Sequence, residues 1–277
     1  MSRPPTFTPP PCARAGQLDT DRGPFAVLDA RPGGARRGTA LLLPGFTGSK
    51  EDFIALLEPL ADAGYRVVAV DGRGQYESAP PADPTGYDRR ELALDVLAQA
   101  RALDAPVHLV GHSLGGQIAR AAVLTDPSPF ASLTLIASGP AAPAPVQLQK
   151  IKLLSDALAV MGMAEVWAAM QAMDPPEETA TDGPALRARW LRHDPAQLLA
   201  TGAQLTAEPD RVAALAAVPL PTHVLSGVRD DTWPVPLLDD MARRLGAERT
   251  VIDGAEHSPN TDRPAETARA LAAFWDR

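Results

Sequence analysis

The chemistry in this chain centres on one serine held between glycines and on five histidines from which to choose a partner for it. Gly111-His112-Ser113-Leu114-Gly115 fits the pattern G-x-S-x-G, with an apolar strand-like run, PVHLV, before it and a helix-like run, LGGQIARAAVL, after it. A chain turning sharply from strand to helix at a serine, with no Cβ at Gly111 or Gly115 to obstruct it, lifts the hydroxyl above the sheet edge. Ser113 is therefore the candidate nucleophile. A serine hydroxyl is a weak nucleophile at neutral pH and needs a base and an orienting acid. His108 lies inside a strand, His112 beside the nucleophile, His193 in a helical segment and His223 at the start of another strand. His257, in DGAEHSPN, follows the last strand and precedes the terminal helix, where a loop returns its imidazole over the sheet edge; it is the candidate base. The acid is expected after the preceding strand, where THVLSGVRDDTWP offers Asp230 and Asp231. We favour Asp230 and assign Asp231 to solvent or a turn cap. Two backbone amides are expected to bind the oxyanion of a tetrahedral intermediate: that of Leu114, at a helix start where free N–H groups favour negative charge, and that of Phe46, after Pro44 and Gly45.

These residues need a scaffold, and the periodicity supplies one. GPFAVLDARPG, TALLL, YRVVAVD, PVHLVG, ASLTLIAS, PTHVLSG and ERTVIDG read as strands. Helical patterns lie between them at about 50–63, 87–103 and from Ser113 onward, then in PVPLLDDMARRLG and at about 263–275. Such alternation indicates βαβ crossovers and a mostly parallel sheet covered on both faces. Residues 141–217 lose the strand pattern and carry helical stretches around the acidic DPPEETATDGP, which reads as a solvated turn. We assign 141–217 as an inserted helical cap, 21–140 and 218–277 as the core, and 1–20 as a flexible proline-rich tail.

Composition excludes several classes of function. The 277 residues carry a net charge of −8, which gives no global attraction to nucleic acid or to an anionic membrane. No apolar run reaches the roughly 18 to 20 residues of a membrane span, and the N-terminal region lacks a secretory apolar segment; a cytoplasmic protein is expected. The single Cys12 rules out an intrachain disulfide or a cysteine-based metal cluster and reads as a tail thiol. PGFTGS lacks the ending of a phosphate loop, and no H-E-x-x-H helix is present, so neither metal nor cofactor is expected. Whether the chain is a monomer or a homodimer is not legible from the sequence.

PGF at 44–46, DGRGQYES at 71–78, GHSLGG at 111–116, GVRDDTWP at 227–234 and GAEHSPN at 254–260 together resemble the α/β-hydrolase superfamily, in its serine-nucleophile branch with a helical cap. The resemblance runs from about residue 24 onward, with the cap matched only by position and helical character. It implies an α/β fold with a mostly parallel eight-stranded sheet flanked by helices, and a ligand between sheet edge and cap. The family's acid commonly lies three residues after the glycine of the GVRDDTWP-like turn, which selects Asp230, and its order of nucleophile, acid and histidine matches Ser113, Asp230, His257. The chain departs from the family at residue 44, where PG replaces the frequent HG and a side chain that helps arrange the oxyanion loop in relatives is missing.

A serine in the elbow argues against the related dehalogenases and epoxide hydrolases, which use aspartate. It leaves ester, thioester, lactone and amide hydrolysis, including proline iminopeptidase activity, as well as carbon–carbon bond hydrolysis and cofactor-free perhydrolysis. Hydrolysis of a small-molecule ester is the broadest expectation. A non-catalytic binding protein on the same fold is the alternative outside enzymes. Within the cap, Met161, Met163, Met170, Met173, Trp167 and Trp190 are expected either to hold the helices together or to line a pocket for an apolar or aromatic acyl group, with Trp233 at its border. Arg73 and Arg120 are candidates for an anion clamp or for structural ion pairs.

Overall fold

The computed structural model describes residues 2–104, 106–173 and 183–277. The chain forms eight strands, most of them from short apolar runs: β1 (Ala13–Thr20), β2 (Gly23–Ala30), β3 (Gly38–Leu43), β4 (Tyr65–Val70), β5 (Val107–His112), β6 (Phe130–Ile136), β7 (Thr222–Gly227) and β8 (Glu248–Ile252). They form one sheet in the order β1-β2-β4-β3-β5-β6-β7-β8. Every pair from β4 to β8 along that order is parallel, while β1 and β2 run antiparallel at one edge. The central parallel strands are buried on both faces, which is why β3, β4 and β5 read as continuous apolar runs without alternation.

Helices cover the two faces. On one side α1 (Ile54–Asp62) and α10 (Pro264–Trp275) pack with Leu42, Val67 and Val110; on the other, α2 (Arg89–Ala102), α3 (Leu114–Thr125) and α9 (Val235–Leu245) pack with Leu41, Val68 and Leu109. Strand register then sets the site. Leu43 lies opposite Gly111 and His112 opposite Ile136, so the loops leaving β3, β5, β7 and β8 emerge together at the carboxyl edge of the sheet.

One sequence expectation is overturned at the start of the chain. Residues 13–20, assigned to a flexible tail, form β1 and pair with β2 over their whole length, from Ala13 opposite Ala30 to Thr20 opposite Gly23. The segment ARAGQLDT is an edge strand with mostly solvent-facing polar side chains, so no apolar periodicity marks it. It supplies the eighth strand. Cys12 is half-buried at its entrance, and burial raises its thiol pKa.

Between β6 and β7 lie α4 (Pro145–Leu158), α5 (Met163–Met173), α6 (Gly183–Arg192), α7 (Pro195–Thr206), α8 (Val212–Ala216) and no described strand. Leu158, Val166, Trp167, Leu186, Trp190 and Leu198 form a separate apolar cluster holding these helices to one another. The acidic turn read at 174–182 lies outside the described residues. Among the described residues, no helix is long and apolar enough to cross a membrane, and no group of three or more potential ligands is placed to hold a metal ion.

Candidate functional site

Ser113 occupies the junction of β5 and α3 with φ +54° and ψ −118°, backbone angles sparsely populated by a residue with a Cβ. The strain is possible because the surroundings are glycine: a Cβ on Gly115 would stand 2.4 Å from the Leu43 carbonyl oxygen, and one on Gly111 would stand 2.4 Å from that of Gly115. The loop after β3 therefore packs directly on the elbow.

The structure brings the three predicted side chains together. The Ser113 hydroxyl lies 3.2 Å from His257 Nε2, and His257 Nδ1 lies 3.0 Å from Asp230 Oδ1. A carboxylate oxygen can only accept, so the imidazole proton sits on Nδ1 and the Nε2 lone pair faces the serine. The Asp230 side chain is shielded from solvent and is fixed by two further donors, the amides of Thr232 at 2.8 Å and Trp233 at 3.1 Å, both on Oδ1. Asp231 points elsewhere: its carboxylate is 67% exposed and accepts from Gln147 Nε2 at 2.6 Å. The residue choice between the two acids is thus made by the turn after β7, which folds one inward and leaves the other at the rim.

His112, which the sequence places beside the nucleophile, also reaches the loop of the base: its Nε2–H donates to the backbone carbonyl of His257 at 2.9 Å. This bond ties the nucleophile strand to the histidine loop. Burial holds the His112 pKa down to about 4, so the ring is neutral at pH 7 and a fixed donor. The other histidines are structural. His108 bonds Ser132 and stacks on Trp275, His223 bonds Thr250, and His193 lies between the carbonyls of Arg189 and Gly48.

Leu114 is the first residue of α3, so its amide has no partner within the helix. Phe46 follows Gly45, whose position is close enough to the elbow that a Cβ there would stand 3.3 Å from Ser113 Cβ. The side chain that PG in place of HG removes from this loop has a substitute. Gln75 is buried in the loop after β4, donates from Nε2 to the Gly45 carbonyl at 2.9 Å, and accepts the Gly72 amide on Oε1 at 3.0 Å. In a planar trans peptide the carbonyl and the next N–H point in opposite directions, so fixing the Gly45 oxygen also fixes the aim of the Phe46 N–H.

Ser113 and His257 open into a cavity of about 400 Å³, within the range that holds small organic ligands. Its lining corrects the sequence reading. Trp167, Met170, Trp190 and Trp233 are absent from it. Trp167 and Trp190 are committed to the interhelical cluster, with the Trp190 indole donating to the Met163 carbonyl, and Met161, Met163 and Met170 pack around them. Met173 is 81% exposed. Trp233 is wholly buried and donates to the Ala141 carbonyl. The apolar wall is instead Phe46, Ile151 and Leu205, accompanied by Gln147, Lys150 and Asp231, so the cavity is mixed rather than aromatic. Gln147, Lys150 and Ile151 share one face of α4 at i, i+3 and i+4, a spacing that was visible in the sequence but carried no motif. Arg73 and Arg120 do not reach the cavity: Arg73 is paired with both oxygens of Asp95, and Arg120 with Glu208.

A sequence profile described as the alpha/beta hydrolase family matches residues 40–270. A pimeloyl-[acyl-carrier protein] methyl ester esterase of Aeromonas hydrophila is 31% identical over 78% of this chain and 87% of its own length. A 2-hydroxy-6-oxononadienedioate/2-hydroxy-6-oxononatrienedioate hydrolase of Paraburkholderia xenovorans is 32% identical over 74% of this chain and 72% of its own. The chain spans only 39% of the length of two other curated relatives that it matches. The crystal structure of a hydrolase from Pseudomonas aeruginosa superposes with a TM-score of 0.77 at 24% identity, covering 95% of this chain and 99% of that one; this likeness speaks to the fold.

Proposed function

Because the chain belongs to the alpha/beta hydrolase family, we propose that it hydrolyses a small-molecule carboxylic ester through an acyl-enzyme on Ser113. The observation that carries this reading is the unbroken hydrogen-bond chain from Asp230 through His257 to Ser113, ending in a cavity of about 400 Å³. His257 Nε2 accepts the hydroxyl proton as Ser113 Oγ attacks the acyl carbonyl, and the amides of Phe46 and Leu114 stabilise the oxyanion. The imidazolium then protonates the departing alcohol. A water attacks the acyl-enzyme with His257 again as base, and the acid leaves. No step needs a metal or a cofactor. The relationship to an esterase at 31% identity supports an ester as the scissile group, and the mixed lining favours a short acyl group with a polar substituent over a long aliphatic one.

Lys150 favours a second reading. It is the one lysine or arginine among the residues described as lining the cavity, and the relative from Paraburkholderia xenovorans is named as a hydrolase of dienedioates. A carbon–carbon hydrolase acting on a vinylogous diketone acid needs such a cation for the substrate carboxylate. Burst-phase kinetics with p-nitrophenyl esters of increasing acyl length, on wild type and Ser113→Ala, test the primary reading. The proposal predicts a burst stoichiometric with enzyme that Ser113→Ala abolishes. Turnover of a vinylogous diketone acid with no ester hydrolysis would replace it with the second reading.

A further inference from the structure

The segment preceding β1 reaches the cavity that Ser113 faces through its first described residue. Ser2 is among the residues lining it, and Ser2 Oγ lies 3.4 Å from the Oγ of Ser258, the residue next to His257. The anchor is Arg189 of α6, whose guanidinium is wholly buried. It donates from Nη1 to Asp52 Oδ1 at 2.7 Å and from Nη2 to the Ser2 carbonyl at 2.6 Å. A buried guanidinium must find acceptors for its N–H groups, and here a backbone carbonyl of the N-terminal segment is one of them. Further along, Pro4 is buried, and Phe7 packs against the Trp167 and Trp190 cluster with its ring 6.0 Å from the Arg189 guanidinium carbon. The Pro10 carbonyl accepts the Ala13 amide in the turn into β1, which fixes the other end of the segment.

Proline content makes this docking feasible. Pro4, Pro5, Pro9, Pro10 and Pro11 each fix φ, so the free segment samples few conformations and loses less entropy when it settles on the helices. The composition that suggests a tail in the sequence is, in the fold, a docked segment of restricted backbone.

We infer that residues 2–8, clamped by Arg189, hold Ser2 as a specificity-determining wall of the substrate cavity that limits the length of the group admitted beside Ser258. This rests on the reading of Ser113 as nucleophile for the cavity's use, but not for the placement of the segment.

The test uses p-nitrophenyl phosphonates in two series, one lengthened from methyl to octyl on the phosphorus carbon, the other on the alkoxy arm. Ser113 Oγ forms a bond to phosphorus as the bond to p-nitrophenolate breaks, and His257 takes the hydroxyl proton. Labelling rates are read by intact mass for the full chain, a variant lacking residues 2–8 and Ser2→Trp, with Ser113→Ala as blank. In at least one series the rate for octyl relative to methyl should rise at least about tenfold on deletion and fall with Ser2→Trp, which narrows the cavity and covers the case in which the deletion does not fold. Parallel profiles for all three proteins would overturn the inference. Failure of Ser113 to label in any of them counts against the nucleophile instead. The placement is then read independently in Ser2→Cys/Ser258→Cys carrying Cys12→Ser. Diamide should accept two electrons and two protons from the thiol pair, forming a disulfide with a mass loss of two hydrogens; persistence of both thiols would refute the docked segment.

Discussion

One oxygen of Asp230 receives three donors: the imidazole of His257 and the amides of Thr232 and Trp233. The amides prevent the carboxylate from swinging away and leave it to determine which imidazole nitrogen carries the proton. Asp230→Asn keeps the shape but allows the opposite tautomer, placing an N–H toward Ser113. We predict a fall in kcat of about 10³- to 10⁴-fold with an unchanged melting temperature to within a few degrees. Asp231→Asn removes only a rim charge bonded to Gln147 and near Lys150, and kcat should stay within about threefold. Steady-state kinetics on the two variants decide the matter, and the reverse ranking would move the acid by one residue. The adjacency of two aspartates left this choice to family likeness in the sequence; only the fold of the turn shows which carboxylate is turned inward.

At the scale of elements, the site depends on how four loops are held against one another. His112 joins the β5 elbow to the His257 backbone, and Gln75 joins the loop after β4 to the oxyanion loop after β3. Gln75→Leu removes the donor to the Gly45 carbonyl and frees the peptide that carries the Phe46 N–H. The predicted result is a kcat lower by about 10- to 100-fold, a KM within about twofold, and a matching loss of affinity for a trifluoromethyl ketone, whose adduct carries the oxyanion. A loss confined to KM would place Gln75 in ground-state binding instead. Gln75→Glu should behave like Gln75→Leu, since a carboxylate cannot donate to the carbonyl. Neither tie was legible beforehand. The loops were visible as breaks at the ends of apolar runs, but the bonds between them join residues 30 and 145 positions apart and leave no local pattern.

Across the whole molecule, the sheet and its helices were legible because buried parallel strands and amphipathic helices leave strong periodic signals. Two parts were not. Strand β1 is a polar edge with no apolar periodicity, and bulky residues near the sheet's carboxyl edge cannot be divided into packing and lining by type alone: Trp190, between β6 and β7, and Trp233, after β7, look as suited to a pocket as Phe46 does, and the structure buries both. Global stability carries its own test. His108, His112, His193 and His223 are each held to a pKa of about 4 by burial, against an ordinary value of 6.5. Between those values the unfolded chain binds protons at these sites that the folded chain does not. Their stabilising contribution is therefore fully present above about pH 6.5 and is lost progressively as pH falls toward 4, by up to roughly 1.4 kcal/mol per pH unit for each histidine. Urea titrations from pH 8 to 4.5 should show stability falling below 6.5, and substitution of His223 by Phe should make the decline shallower. An identical pH slope in that variant would show that His223 does not carry the effect.

The central claim is that Ser113 carries the substrate's acyl group during turnover. Mixing the enzyme with a p-nitrophenyl ester, quenching in acid within milliseconds and mapping the adduct by peptide mass measures this directly. The account predicts a mass increase equal to the acyl group less one hydrogen, located on the peptide containing Ser113 and formed at the rate of the p-nitrophenol burst. A burst with the acyl group on another residue, or ester turnover of the same rate in Ser113→Ala, would contradict it.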